Sequence, residues 1–392
     1  MFISVYKNIN LLFSIYILLI LSWLMKMDYK KLDLFTPMIV VLLVFVYLIF
    51  AYIGFYYHIR ELIGVNMNTI GIILLGLIFY ILGYYISKCL LKNKELKINK
   101  PRLDKLTGKK FVLTLVILGI LLQIINLVYL GGIPLLSGHL KARAATRIWL
   151  LSYLLFLPSI NILLAKYDDK KYYLLFVIGL ILFALTGYRT TAIAIVLSVL
   201  ITAYYTKDLP WEYLILALIG IFLLLLIVGY VAVKSIEWQT WTLNPIELLF
   251  YRAGYTLQVL GNAVVLQGST HGQLLYNTLT GFMKSTDPRV IVGSTTLGYA
   301  HSTTSMIFGP ALLDFGLYAM LIQMLLIGFI IGMLYNIQKS LNTAFVGLYA
   351  MLLAHVIIWI ETGPTDLVIL LFFLIAIIMV LLTVKTKKGG NI

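Results

Sequence analysis

The sequence predicts an all-α polytopic membrane protein with about eleven transmembrane helices, within a range of ten to twelve, and three observations carry that expectation. Hydrophobic residues fill 62% of the 392 positions and charged residues 11%, against roughly 45–50% and about 25% in a soluble globular domain. Apolar runs of 16 to 26 residues recur from end to end, and a hydrocarbon core about 30 Å thick needs roughly 20 helical residues to cross it. The runs are continuous in Leu, Ile and Phe, without the alternation of a membrane barrel. The expected unit is one transmembrane domain, 1–392, with a single external subdomain at 234–304.

The spans are expected at about 9–25, 36–57, 67–87, 111–130, 148–165, 172–187, 190–205, 213–233, 311–336, 344–360 and 367–384. The first follows Lys7 like a signal sequence, but no small-residue cleavage site comes after it, so it reads as a retained span. The connection 88–110 holds eight lysines and Arg102, which marks it as cytoplasmic. Alternation from there puts the N-terminus outside and the tail, with Lys385, Lys387 and Lys388, inside, in a multi-pass protein of the cell membrane. On this topology 20 of the 30 basic residues are inside, so the +15 charge reflects orientation and gives no reason to expect nucleic acid as a partner. The two basic residue types separate: 19 of 23 lysines lie inside, while six of seven arginines, Arg60, Arg143, Arg147, Arg189, Arg252 and Arg289, lie outside. The charge rule does not ask for those arginines.

A lone Cys89 excludes a disulfide framework or thiolate metal site, and the histidines at 58, 139, 271, 301 and 355 lack zinc-ligand spacing. No metal and no cofactor are expected. The long segment 234–304 is too apolar to be disordered. Within it Asn244-Pro245 reads as an N-cap with proline at the first helical position, opening an amphipathic helix to about Gln267, and a short helix follows from about His271 to Met283. Such apolar content outside the bilayer predicts packing on the membrane surface or back into the protein. No internal repeat suggests the duplicated halves of a secondary transporter.

Three clusters carry the candidate chemistry. In GGIPLLSGHLKARAATR, 131–147, glycines and Pro134 end one span and Ser137 or Gly138 caps a new helix, which would put His139, Arg143 and Arg147 at i, i+4 and i+8 on one face. Paired arginines grip phosphate bidentately; the plainer reading is a belt on lipid headgroups. Arg189 stands in TGYRTT between two short spans, below the expected headgroup level, where an arginine needs a polar cavity or an acidic partner. The third set is Arg252 on the amphipathic helix, Arg289 in STDPRV, His301 in GYAHSTTSMIFGP, and Asp314 in the first outer turn of the ninth span. Alone, His301 reads as a hydrogen-bonded structural residue and Asp314 as a complement to its helix dipole. Glu361 and Asp366 in ETGPTD complete the outer acids. Together the arginines and titratable groups describe an external site for a lipid diphosphate.

The motifs GGIPLL followed by arginines, TGYRTT, one large late external loop, and HSTTSMIFGPALLDFG leading into the next span resemble the oligosaccharide repeat unit polymerases, relatives of the O-antigen polymerases and ligases. The likeness covers roughly 111–336. It implies a GT-C-like, metal-independent membrane glycosyltransferase that polymerises polyprenyl-diphosphate-linked oligosaccharides on the outer face. By that resemblance Arg147, Arg189, Arg252 and Arg289 hold the diphosphate, Arg189 and Arg252 in the catalytic role, and Arg143 joins the diphosphate-binding set through its expected helix face with Arg147. His301 matches the ligases' histidine and is the favoured base, with Asp314 as its orienter or substitute. Implied partners are the lipid-linked donor and acceptor, membrane lipids, a flippase and a chain-length regulator. The rival function, a transporter or flippase of the same lipid-linked oligosaccharide, predicts balanced halves and central charged residues, whereas the chain has a lopsided late loop and few charges at mid-bilayer. A non-catalytic scaffold would leave glycan length unaffected.

Overall fold

In hydrocarbon the backbone must satisfy its own hydrogen bonds, so long apolar runs become helices. The computed structural model describes residues 33–92, 94–167, 169–207, 209–234, 243–281, 287–341 and 344–388. The expected first span, 9–25, lies outside the described residues. The helices are α1 Ile39–Tyr56, α2 Met67–Leu91, α3 Lys100–Leu106, α4 Lys109–Leu130, α5 Gly138–Arg143, α6 Arg147–Lys166, α7 Lys170–Ala184, α8 Arg189–Thr206 and α9 Trp211–Lys234. They continue with α10 Pro245–Val265, α11 Gln273–Leu279, α12 Pro288–Leu297, α13 Gly309–Phe315, α14 Leu317–Leu341, α15 Ala344–Thr362 and α16 Leu367–Thr383.

Helices stand at ten of the eleven expected span positions, and seven helical stretches among the described residues are long and apolar enough to cross a membrane. Of the rest, α7 has 15 residues and α16 has 17. The expected ninth span is not one helix. Gly316, at φ +81°, ends α13, and α14 starts one residue later. Hydropathy runs unbroken through that point, which is why the sequence reads as a single span.

Packing is tightest where glycines remove side chains. A Cβ on Gly328 of α14 would lie 2.0 Å from the Tyr80 carbonyl oxygen of α2, and one on Gly83 of α2 would lie 2.1 Å from that of Leu325, so both helices offer bare backbone and approach closely. The most enclosed span is α15, packed against α6, α8, α14 and α16. Beside it, Asn161 of α6 donates to Ser198 Oγ at 3.0 Å and accepts from Thr202 Oγ1 at 2.9 Å, fixing α6 to α8.

The described parts of the segment 234–304 pack back onto the bundle. Asn244 and Glu247 form a reciprocal capping box with Pro245 at the first position of α10, and α10 lies along α1, with Phe250 carbonyl oxygen 2.6 Å from a Cβ placed on Gly54. At the opposite, lysine-bearing end, β1 Lys94–Ile98 pairs antiparallel with β2 Val384–Lys388, joining the basic connection to the tail. The Asp33 carboxylate there accepts from the Tyr205 and Tyr335 hydroxyls, each at 2.7 Å.

Candidate functional site

The turn at Gly187, φ +75°, delivers Arg189 to the first position of α8, and α10 brings Arg252 beside it. Both converge on Glu361 in the last turn of α15. Arg189 Nη2 donates to Glu361 Oε1 at 2.8 Å, and Arg252 donates to the same oxygen from Nη2 at 2.8 Å and Nε at 3.3 Å. Gly229 of α9 leaves room for the group, since a Cβ there would sit 3.1 Å from Arg189 Nη1. Lys141 of α5 is the third cation. Burial, reinforced by repulsion from Arg189 and Arg252, pushes its amine down to about 8. Two guanidinium groups therefore share one carboxylate with a third cation close to both, and the imbalance favours an anion.

A second group begins five residues further along the chain from Glu361, at Asp366. Asp287 caps α12 by accepting from Arg289 N at 2.9 Å, and the same carboxylate takes Arg289 Nε at 3.0 and 3.1 Å and Ser302 Oγ at 3.4 Å. Burial raises the Asp287 carboxyl, but the charge and hydrogen bonds of Arg289 outweigh it, and the group stays below the usual carboxylate range. Arg289 and Asp366 line a cavity of about 100 Å³ with Trp149, Tyr153, Tyr188 and His355. Tyr153 Oη and His355 Nε2 are 3.0 Å apart, and His355 Nδ1 lies 2.8 Å from the Met351 carbonyl, so the ring is engaged on both sides. The buried Trp149 Nε1 has no hydrogen-bond partner among the described residues. Tyr188 links the two groups: it lines the cavity and donates to the Lys141 carbonyl at 3.1 Å.

The structure thus joins Arg189 with Arg252 and sets Arg289 beside the neighbouring cavity. It corrects the expected His139, Arg143 and Arg147 face. Ser137 does cap α5, accepting from Leu140 N, but α5 ends at Arg143 and Arg147 starts α6 after a non-helical 144–146 capped by Thr146. Arg143 and Arg147 are both exposed, on separate helices. Nor do His301 and Asp314 form a pair. His301 is exposed in the loop after α12, its ring beside Tyr299. Asp314 is only 3% exposed, and its carboxylate accepts from Thr270 Oγ1 at 2.6 Å, Leu274 N at 2.9 Å and Leu275 N at 2.7 Å. It pins the start of α11, a structural role that leaves it poorly placed to accept a proton. Arg60, expected apart from the cluster, donates to the Tyr251 hydroxyl at 3.2 Å, one position from Arg252.

Sequence reasoning gave no role to Lys141, Trp149, Tyr153 or His355, and treated Glu361 and Asp366 as minor. One signal was available: His355 lies inside an apolar span, where an ionisable residue is a functional candidate by default. The aromatic residues carried no signal, because Trp and Tyr at span ends are also ordinary membrane anchors.

Among known proteins, two from Methanocaldococcus jannaschii, both described as uncharacterized, are similar to this chain. MJ0420 is 30% identical over 266 residues, 68% of this chain and 64% of its own length, so the chain spans just under two thirds of that relative. MJ0419 is 23% identical over 331 residues, 83% of this chain and 91% of its own length. No solved structure matches. Residues 33–373 match the family described as "Putative O-antigen polymerase", a range that contains every residue of the arginine group and of the cavity lining. This multi-spanning helical chain belongs to the O-antigen polymerase family.

Proposed function

We propose that the chain polymerises lipid-diphosphate-linked oligosaccharide repeat units on the outer face of the cell membrane, releasing the polyprenyl diphosphate carrier. The observation that carries this reading is the convergence of Arg189 and Arg252, from two separate helices, on the single carboxylate of Glu361 at one end of an apolar bundle, with Lys141 close enough to both arginines to feel their charge. A diphosphate attached to a hydrocarbon chain needs such a combination: guanidinium groups for the phosphate oxygens and an apolar flank for the lipid. The donor is a growing glycan on its lipid diphosphate, and the acceptor is a hydroxyl of a second lipid-linked repeat unit. Negative charge grows on the leaving oxygen as the bond breaks. Cations fixed beforehand stabilise that charge more in the transition state than in the ground state. Direct displacement inverts the anomeric centre.

The test is a glycan-length profile. Cells lacking the chain should carry single repeat units in place of long chains. Arg189→Lys keeps the charge but loses the planar fork, so turnover should fall about 10²–10³-fold, the usual effect of removing one transition-state donor, while the protein still accumulates in the membrane. Wild-type chain lengths in that variant would return Arg189 to a purely structural ion pair with Glu361.

A further inference from the structure

Four carboxylates at the arginine-bearing end are already engaged. Asp287 holds Arg289 and Ser302, Asp314 takes three donors, Glu361 takes two arginines, and Glu247 closes the capping box of α10. Asp366 differs. It precedes α16 without capping it, and no described donor is hydrogen-bonded to its side chain. It lines the 100 Å³ cavity together with Trp149, whose buried Nε1–H has no described partner. The lining includes the aromatic side chains of Trp149, Tyr153 and Tyr188 together with Thr190, Thr191 and Thr362.

That combination matches one class of ligand. A sugar ring presents C–H groups to aromatic rings and hydroxyls at its edge to polar groups, whereas a lipid tail would leave the indole N–H and a carboxylate unsatisfied. We infer that the cavity receives the terminal sugar of the acceptor and that Asp366 accepts the proton of the attacking hydroxyl, a deepening that rests on the polymerase reading. In the step, the acceptor oxygen bonds to the donor's anomeric carbon as the bond from that carbon to the diphosphate oxygen breaks. The electron pair leaves with the diphosphate, held by Arg189 and Arg252, and the hydroxyl proton passes to Asp366. Burial raises the proton affinity of Asp366; Arg289 opposes this and Asp287 adds to it, and the net direction is upward. That suits a base. Trp149 donates from Nε1 to a ring hydroxyl.

The experiment uses the purified full-length protein in lipid, with lipid-linked repeat units as donor and the same oligosaccharide, freed from its lipid by mild acid, as soluble acceptor. Long products from the wild type support the polymerase reading; their absence overturns that reading and this inference with it. Given an active wild type, Asp366→Asn should lower turnover about 10²–10⁴-fold, the range of general-base catalysis, remove the low-pH limb of the rate profile, and leave half-saturation by the donor unchanged. Trp149→Phe keeps an aromatic face and loses the N–H. It should raise half-saturation by the soluble acceptor about tenfold and leave that of the donor unchanged. Turnover within threefold of wild type in a folded Asp366→Asn protein overturns the assignment of the base. Unchanged acceptor dependence in Trp149→Phe overturns the sugar pocket.

Discussion

The two ends of the bundle treat a carboxylate in opposite ways. At the lysine-bearing end Asp33 receives one tyrosine hydroxyl on each oxygen, from Tyr205 and Tyr335, and Tyr349 donates to the Phe35 carbonyl beside them. At the arginine-bearing end Glu361 takes two guanidinium groups on a single oxygen, Asp366 takes no described donor, and Trp149, Ser305, Trp359 and Thr365 leave buried polar atoms without described partners. Buried polar groups are ordinarily satisfied because an unmade hydrogen bond is expensive. Among the described residues the lysine-bearing end leaves Gln338 Nε2 open while the arginine-bearing end leaves these four, so the second end offers more polar groups to a ligand.

The sharpest way to break this comparison is to ask whether the ends face different compartments. A single cysteine near Gly268 should react with an impermeant reagent on intact cells and one near Lys97 should not, after Cys89 is replaced. Reversed labelling would sink the outer-face assignment. Next in size is Asp33→Ala, which leaves the Tyr205 and Tyr335 hydroxyls without their acceptor. It should cost about 2 kcal/mol of stability, read as a lower thermal midpoint in detergent, with turnover per folded molecule unchanged. That is the inverse of Arg189→Lys, and loss of turnover at full stability would erase the distinction between the ends.

The smallest expected effect is the pH response of Lys141. Its amine is charged below about 8 and neutral above, so the third cation is present at pH 7 and disappears as pH rises through that value. The donor concentration giving half-maximal rate should rise up to about tenfold between pH 7 and 9, the worth of one charged hydrogen bond. Lys141→Arg should flatten the profile. A wild-type profile that is already flat would remove Lys141 from the diphosphate site.

Much of the helical framework was legible because span position is a property of local apolar runs, and the capping box at Asn244 is written within four residues. The site was legible only as an inventory. Arg189 and Glu361 are 172 positions apart and Arg252 and Glu361 are 109, so the shared carboxylate depends on how α8, α10 and α15 pack. Asp314 misled for a related reason. Hydropathy continues through Gly316, while the backbone breaks there and turns the carboxylate toward α11. Arg143 and Arg147 were assigned a shared face on helical spacing, but Thr146 restarts the helix between them.

Glu361 and Asp366 occupy the two ends of one short turn, and that turn is seated by Gly363. Its φ is +73°, and a Cβ there would come within 2.7 Å of the Met306 carbonyl oxygen and 2.9 Å of the Pro310 ring. Any other residue would have to adopt a left-handed backbone and also lift the turn off the break before α13. The carboxylate that gathers the arginines and the one that faces the cavity thus share a single rigid mount. A substitution that displaces the turn therefore moves both carboxylates together, so neither position can be altered through the backbone without the other.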